Sequence, residues 1–283
     1  MVTMPHPRTS ALATDAGGVA AQCADLLDEL RNATPLVQCL TNHVVSGFTA
    51  NVLLAVGAAP AMVDIPGEAG VFAPVAGAVL VNLGTINAAQ PEAMREAVAA
   101  ARAAGTPWVL DPVAIGALPV RTALAAELVE QRPAIVRGNA SEIVALAGAG
   151  AGGRGVDSAI GVDQAAGDAA ALATRIGGAV AVSGPIDLIA DGTIRVRVAN
   201  GDPMLTRVTG AGCSLGAVMA AFAALGAAPA LAATAASVTF ALAAERAVGR
   251  AGGPGSFAAA LLDELARIEP GDIAAGARLE VGR

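Results

Sequence analysis

The chain has 283 residues, with 17 basic and 24 acidic side chains and a net charge of −7 at pH 7, which excludes the basic face that nucleic-acid binding requires. Every basic residue is arginine and there is no tyrosine, so a Walker lysine, a Schiff-base lysine and a tyrosine general acid are ruled out. The three cysteines, Cys23, Cys39 and Cys213, form neither a zinc spacing nor a disulfide framework, a pattern that points to a reducing cytoplasm.

In chain order, residues 1–18 lack the apolar core of a signal peptide and read as a disordered tail, leaving 19–283 as one domain. Residues 18–31 set Val19, Cys23, Leu26, Leu27 and Leu30 on one helical face. Short apolar runs then predict strands at 36–40, 60–63, 78–83, 108–111, 134–138, 179–184 and 187–191. Such runs suit a parallel sheet covered on both faces. Only TIRVRV (193–198) alternates, with Arg195 and Arg197 on one face, and it reads as an antiparallel edge strand. A helix over 91–104 opens on a proline and stops at Gly105, and another over 213–225 stripes Leu215, Val218, Met219, Phe222 and Leu225. The uncharged run Val208–Ala244 is cut by Gly226 and Pro229 into two pieces, each read as shorter than the ~20 residues a bilayer needs, so no membrane span is expected. The glycine-rich segment 148–161 reads as a surface loop or a nucleotide-side lid. Strands alternating with helices predict an α/β fold: a single doubly wound, mostly parallel sheet flanked by helices.

Ligands of such sheets bind beyond the carboxyl ends of the strands, and four stretches carry polar residues there. In LTNHVVSGFTAN (40–51), Asn42 suits a helix cap, and His43 is the one histidine outside the tail. That single histidine leaves a serine–histidine–acid hydrolase little to work with. In WVLDPVAIG (108–116), Asp111 fits turn chemistry or a water-mediated magnesium site. In IVRGNASEI (135–143), Asn139 and Glu142 have capping-box spacing, while Arg137 adds a phosphate-matching cation beside that acid. In VTGAGCSLGA (208–217), Gly210 and Gly212 allow a tight turn into a helix beginning near Cys213, a pocket of free amides suited to a phosphoryl group. A thiol at a helix N-terminus is expected to be partly thiolate near neutral pH, although a free cysteine is commonly a packing residue.

Taken together in this order, TPLVQCLTNHVVSGFTANVLLAVGAAPAMVD, AGAVLVNLGT, WVLDPVAIGA, IVRGNASEI and VTGAGCSLGAV resemble the hydroxyethylthiazole kinase family of the ribokinase-like superfamily, over about residues 25–265. The resemblance implies ATP-dependent phosphorylation of 4-methyl-5-(2-hydroxyethyl)thiazole for thiamine synthesis, with Mg2+, in a cytoplasmic homotrimer whose active sites lie between subunits. It assigns Met62, Asn42, Gly210 and Gly212 to the thiazole substrate, Arg137 and Ser183 to ATP, Asp111 and Glu142 to the metal, and Cys213 to catalysis. Arg154 in the glycine-rich loop stands where relatives can place a cation near the ATP phosphates.

Ribokinase-like enzymes generally carry an aspartate base where this chain has Cys213, and thiazole kinases often have cysteine there. Phosphoryl transfer through a loose transition state depends more on positioning and electrostatics than on proton abstraction, so a weak base suffices. The alternatives are a hydroxymethylpyrimidine kinase or a nicotinamide-hydrate dehydratase of the same superfamily, both expected to keep the aspartate. A non-catalytic nucleotide or thiazole sensor is the remaining one.

Overall fold

The computed structural model describes residues 11–148 and 160–282. Nine strands among them, β1 (Leu36–Leu40), β2 (Ala59–Ala61), β3 (Ala78–Asn82), β4 (Trp108–Asp111), β5 (Ile135–Asn139), β6 (Ala179–Ser183), β7 (Asp187–Ala190), β8 (Arg195–Val198) and β9 (Leu279–Gly282), form one sheet. Their order is β2-β1-β3-β4-β5-β6-β7-β8-β9. The pairings from β2 across to β6 are parallel, and β7, β8 and β9 continue antiparallel. Every residue of β3 and β4 is buried, which is why these strands read as apolar runs up to the polar residue that closes each, Asn82 and Asp111.

Helices cover both faces. The first to fourth are α1 (Ala16–Ala33), α2 (Ser46–Val56), α3 (Ala69–Phe72) and α4 (Gln90–Ala104). Next come α5 (Pro119–Val129), α6 (Ala140–Leu146), α7 (Val162–Ile176) and α8 (Ala211–Ala223). The last are α9 (Pro229–Val248), α10 (Pro254–Arg267) and α11 (Pro270–Gly276). Side chains alternate along the strands between two cores. Leu80, Val109 and Ile135 pack with α1, α2, α8, α9 and α10, whereas Val79, Val81, Leu110 and Val136 pack with α4, α5, α6 and α7. Fully buried leucines such as Leu27 and Leu30 of α1 each contribute roughly 1.5–3 kcal/mol by leaving water.

Three sequence expectations change. Helix α1 starts at Ala16, capped by the Asp15 carboxylate accepting from Gly18 N–H, and Leu12 is buried, so the described structure begins inside the segment read as a tail. Strand β8 is not an edge: β9, unseen in the sequence, pairs along its outer side. Helix α9 is 20 residues long, and by length and composition alone it meets the requirement for crossing a membrane. The length argument therefore fails for this helix; instead, 83% of its apolar window is buried inside the protein, against α1, α8 and α10.

Candidate active site

The carboxyl ends of five neighbouring strands line up five polar side chains: Asn42 just past β1, Asn82 at the end of β3, Asp111 of β4, Arg137 of β5 and Ser183 of β6. The chain reverses its winding direction between β1 and β3, the switch point at which open α/β sheets form a crevice. Hydrogen bonds join the row end to end. Asn42 Nδ2 donates to Asn82 Oδ1 at 3.2 Å, and Asn82 Nδ2 donates to Asp111 Oδ2 at 2.8 Å. Arg137 Nη1 reaches the same Asp111 oxygen at 3.5 Å, and its Nη2 donates to Ser183 Oγ at 3.0 Å. Gly84 N–H also donates to Asn82 Oδ1, at 3.0 Å. This backbone donor fixes the Asn82 amide, because only its oxygen can accept there.

The N-terminus of α8 closes over the row. Gly210 caps it with φ +98°, and a Cβ at that position would stand 2.7 Å from Val45. A Cβ on Gly212 would lie 2.9 Å from both terminal nitrogens of Arg137, so the helix end sits directly against the guanidinium. Helix α8 begins at Ala211, which makes Cys213 its third residue instead of its first. Asn42 Nδ2 donates to Cys213 Sγ at 3.4 Å. The hydroxyls of Thr49 and Ser214, 3.3 Å apart, pin α2 to α8 just behind this point.

Charge is concentrated and poorly hydrated here. Asp111 is fully buried and its Oδ1 has no partner. Burial pushes its carboxyl up to about 7, with Arg137 pulling down and Glu142 pushing up. Burial works against the Arg137 cation, but the carboxylates of Asp111 and Glu142 more than compensate and hold it protonated. The Cys213 thiol is raised above its ordinary value, first by burial and then by the Asp111 carboxylate, with Asn82, Arg137 and Asn42 pulling the other way. The expected thiolate is therefore replaced by a neutral thiol: desolvation of the charged form outweighs its hydrogen-bond donors.

Glu142 completes the capping box of α6, with Oε2 accepting from Asn139 N–H at 2.8 Å and Asn139 Oδ1 accepting from Glu142 N–H at 2.9 Å. Its Oε1 accepts from Ala114 N–H at 2.8 Å, which ties the loop after Asp111 to α6. On the other flank of Arg137 opens a cavity of about 490 Å³. Arg137, Ser183 and Gly212 mark its polar end, while Leu205, Leu215 and Phe240 line it with apolar surface.

The structure thus brings Asn42, Asp111, Arg137, Ser183, Gly210, Gly212 and Cys213 together, with Glu142 behind Asp111. Met62 follows the edge strand β2 at the same end of the sheet, partly exposed at 39% and outside the hydrogen-bonded row. His43 is exposed and pairs with Asn87 at 2.9 Å, away from the row. Arg154 lies outside the described residues. Sequence reasoning missed Asn82, the link between the two halves of the row. The signal was present: a polar residue closing an otherwise apolar strand.

Residues 27–270 match the family model for the hydroxyethylthiazole kinase family. The chain is 60% identical over 256 residues to a hydroxyethylthiazole kinase of Clavibacter sepedonicus, covering 90% of this chain and 93% of that one. It superposes with a TM-score of 0.85 and 36% identity on the structure of a hydroxyethylthiazole kinase protein from Pyrococcus horikoshii, covering 92% of this chain and 99% of the other. A ribokinase-like superfamily protein from Enterococcus faecalis, 12% identical with a TM-score of 0.62 over 87% of this chain and 95% of its own, shares the fold. With the family model spanning most of the chain and relatives this similar, the chain belongs to the hydroxyethylthiazole kinase family.

Proposed function

We propose that this protein transfers the terminal phosphoryl group of ATP to the hydroxyl of 4-methyl-5-(2-hydroxyethyl)thiazole, supplying thiazole phosphate for thiamine synthesis. One observation carries the reading. The Arg137–Ser183 pair at the polar end of the cavity and the Asn42–Cys213 pair lie on opposite sides of the Asp111 carboxylate, under one helix N-terminus. Nucleotide phosphates entering from the cavity meet the Arg137 guanidinium and the unshielded amides of α8, which are aimed where charge accumulates during transfer. The acceptor alcohol enters from the Asn42 side and lies against Gly210, Gly212 and Cys213. Met62 borders it from the sheet edge.

The acids suit magnesium. Asp111 offers an unpartnered buried oxygen, and Glu142 is close enough to raise the Asp111 pKa. Among the described residues no group of three or more His, Cys, Asp or Glu side chains gathers to cage a metal. A pair of carboxylates completed by water and substrate phosphates is the usual donor set for this ion. Asp111 and Glu142 would hold it, and when bound it neutralises the phosphate charge. Cys213 acts as a neutral, polarisable neighbour of the alcohol, held by Asn42, and a loose transition state asks for little more from it.

The segments before and after the three-residue edge strand β2 carry the exposed apolar residues Leu54, Ile65, Val71 and Val75. They suit a contact with a second subunit, and the family resemblance makes that assembly a homotrimer with Met62 at an active site between subunits. A cytoplasmic location fits the unpaired cysteines.

The deciding experiment follows ADP release from ATP with magnesium in the presence of hydroxyethylthiazole, hydroxymethylpyrimidine or no acceptor. Release with the thiazole alone is expected. Release with the pyrimidine alone moves the substrate assignment, and no release from a folded, ATP-binding protein favours a sensor.

A further inference from the structure

We propose that Glu245 is a positioning residue for the nucleotide: it fastens the loop at residues 199–202 to α9, so that the parts of the cavity lining carried by the loop and by α9 keep a fixed relation to each other. The proposal rests on the reading that this cavity takes ATP.

Helix α9 lines the cavity through Phe240 and Ala241, and the loop lines it through Asn200, Gly201 and Asp202, with Leu205 of the following turn beside them. Glu245 lies one helical turn beyond Ala241 on the same face of α9. Its Oε1 accepts the Gly201 N–H at 2.7 Å, and Asn200 Nδ2 reaches both of its oxygens at 3.5 Å. The Arg278 guanidinium grips the same carboxylate, with Nη1 at 3.3 Å from Oε2 and Nη2 on Oε1. Arg278 also binds the loop directly. Its Nη2 donates to the Ala199 carbonyl at 2.8 Å, and its backbone N–H donates to Asn200 Oδ1 at 2.7 Å. One carboxylate thus gathers the loop, α9 and the segment leading into β9.

From this loop the cavity wall continues without a break. Asp202 Oδ1 accepts from Met204 N–H at 2.8 Å and starts the short 3-10 turn Pro203–Arg207, which presents Leu205 to the cavity. None of these contacts involves Asn42, Cys213 or Asp111. Loosening the clamp therefore weakens the nucleotide without disturbing the acceptor, a separation that general destabilisation does not produce.

The test compares Glu245→Ala and Glu245→Gln with the wild type in ADP titrations and in steady-state kinetics. Glutamine keeps an oxygen for Gly201 N–H, whereas alanine leaves that donor unpaired. The alanine variant is expected to bind ADP and to show a KM for ATP roughly five- to twentyfold weaker. Its kcat and thiazole KM should stay within about twofold, and glutamine should restore most of the loss. If the alanine variant does not fold, Arg278→Met replaces it, with about a two- to fivefold loss of ADP affinity expected and the same split. A folded variant with unchanged ADP affinity, or one whose kcat and both KM values shift together, overturns the proposal. A wild-type protein that binds no ADP, or whose ADP binding ignores Arg137→Met, overturns the underlying reading as well.

Discussion

Asn82 and Asp111 end neighbouring parallel strands at the same level, and the Asn82 amide donates to the Asp111 carboxylate at 2.8 Å. Both are fully buried. Because Gly84 N–H and Asn42 Nδ2 occupy the Asn82 oxygen, the amide can present only its nitrogen to the acid. The same constraint turns Asn42 so that it donates to Cys213.

Replacing Asn82 with aspartate keeps its shape and reverses that polarity. Two buried carboxylates then face each other and share a proton. We expect kcat to fall roughly 10- to 100-fold with the fold retained, measured as turnover beside a thermal melt. An unchanged kcat would remove Asn82 from the working site.

Gly212→Ala tests the contact between α8 and Arg137. The added Cβ, 2.9 Å from both guanidinium terminal nitrogens, must push the side chain off Ser183 and Asp111. Arg137→Lys removes the fork that lets one residue reach both partners. Each variant should raise the KM for ATP and lower kcat by about 10-fold or more. Wild-type kinetics in G212A would show that the guanidinium moves without consequence.

Asp111 makes stability depend on pH in an unusual direction. Its folded carboxyl, near 7, lies above its ordinary value of 3.8, so between those values the folded state holds a proton that the unfolded chain has released. Stability therefore falls as pH rises through this window, by at most about 1.4 kcal/mol per unit, and levels off above it. Denaturant unfolding of the wild type and Asp111→Asn at pH 4 to 8 reads this directly. The wild type should lose ground to the variant up to about pH 7; a constant difference across the range would contradict it.

The thiols should differ in reactivity. Burial raises Cys23 and Cys39 to about 12, and Cys213 is raised but only half-buried. Alkylation of the folded protein should label Cys213 alone, slowly at neutral pH and faster above the ordinary thiol value of 9.0. Rapid labelling at pH 7 would restore the thiolate. On the proposed mechanism, in which a loose transition state asks little of a base, Cys213→Asp, which keeps an acceptor for Asn42, is expected to retain or exceed wild-type turnover. A folded, ATP-binding C213D protein without activity would assign the thiol an essential role.

Local chemistry written in consecutive residues is legible in the sequence by itself. The apolar runs of β3 and β4, the capping box of Asn139 and Glu142, the glycine turn before α8 and the polar residues ending β1, β4, β5 and β6 each depend on neighbours in the chain. They suffice for the doubly wound fold and most of the candidate site. What tertiary structure decided depends on residues distant in sequence. Strand β9 became the edge because its partner β8 lies about 80 residues earlier, and α9 is an internal helix because α1, α8 and α10 surround it. Asn82 joined the site because parallel pairing set it level with Asp111. The Cys213 thiol is neutral for the same kind of reason: a helix start favours the thiolate locally, but burial and the Asp111 carboxylate, brought there by folding, outweigh it.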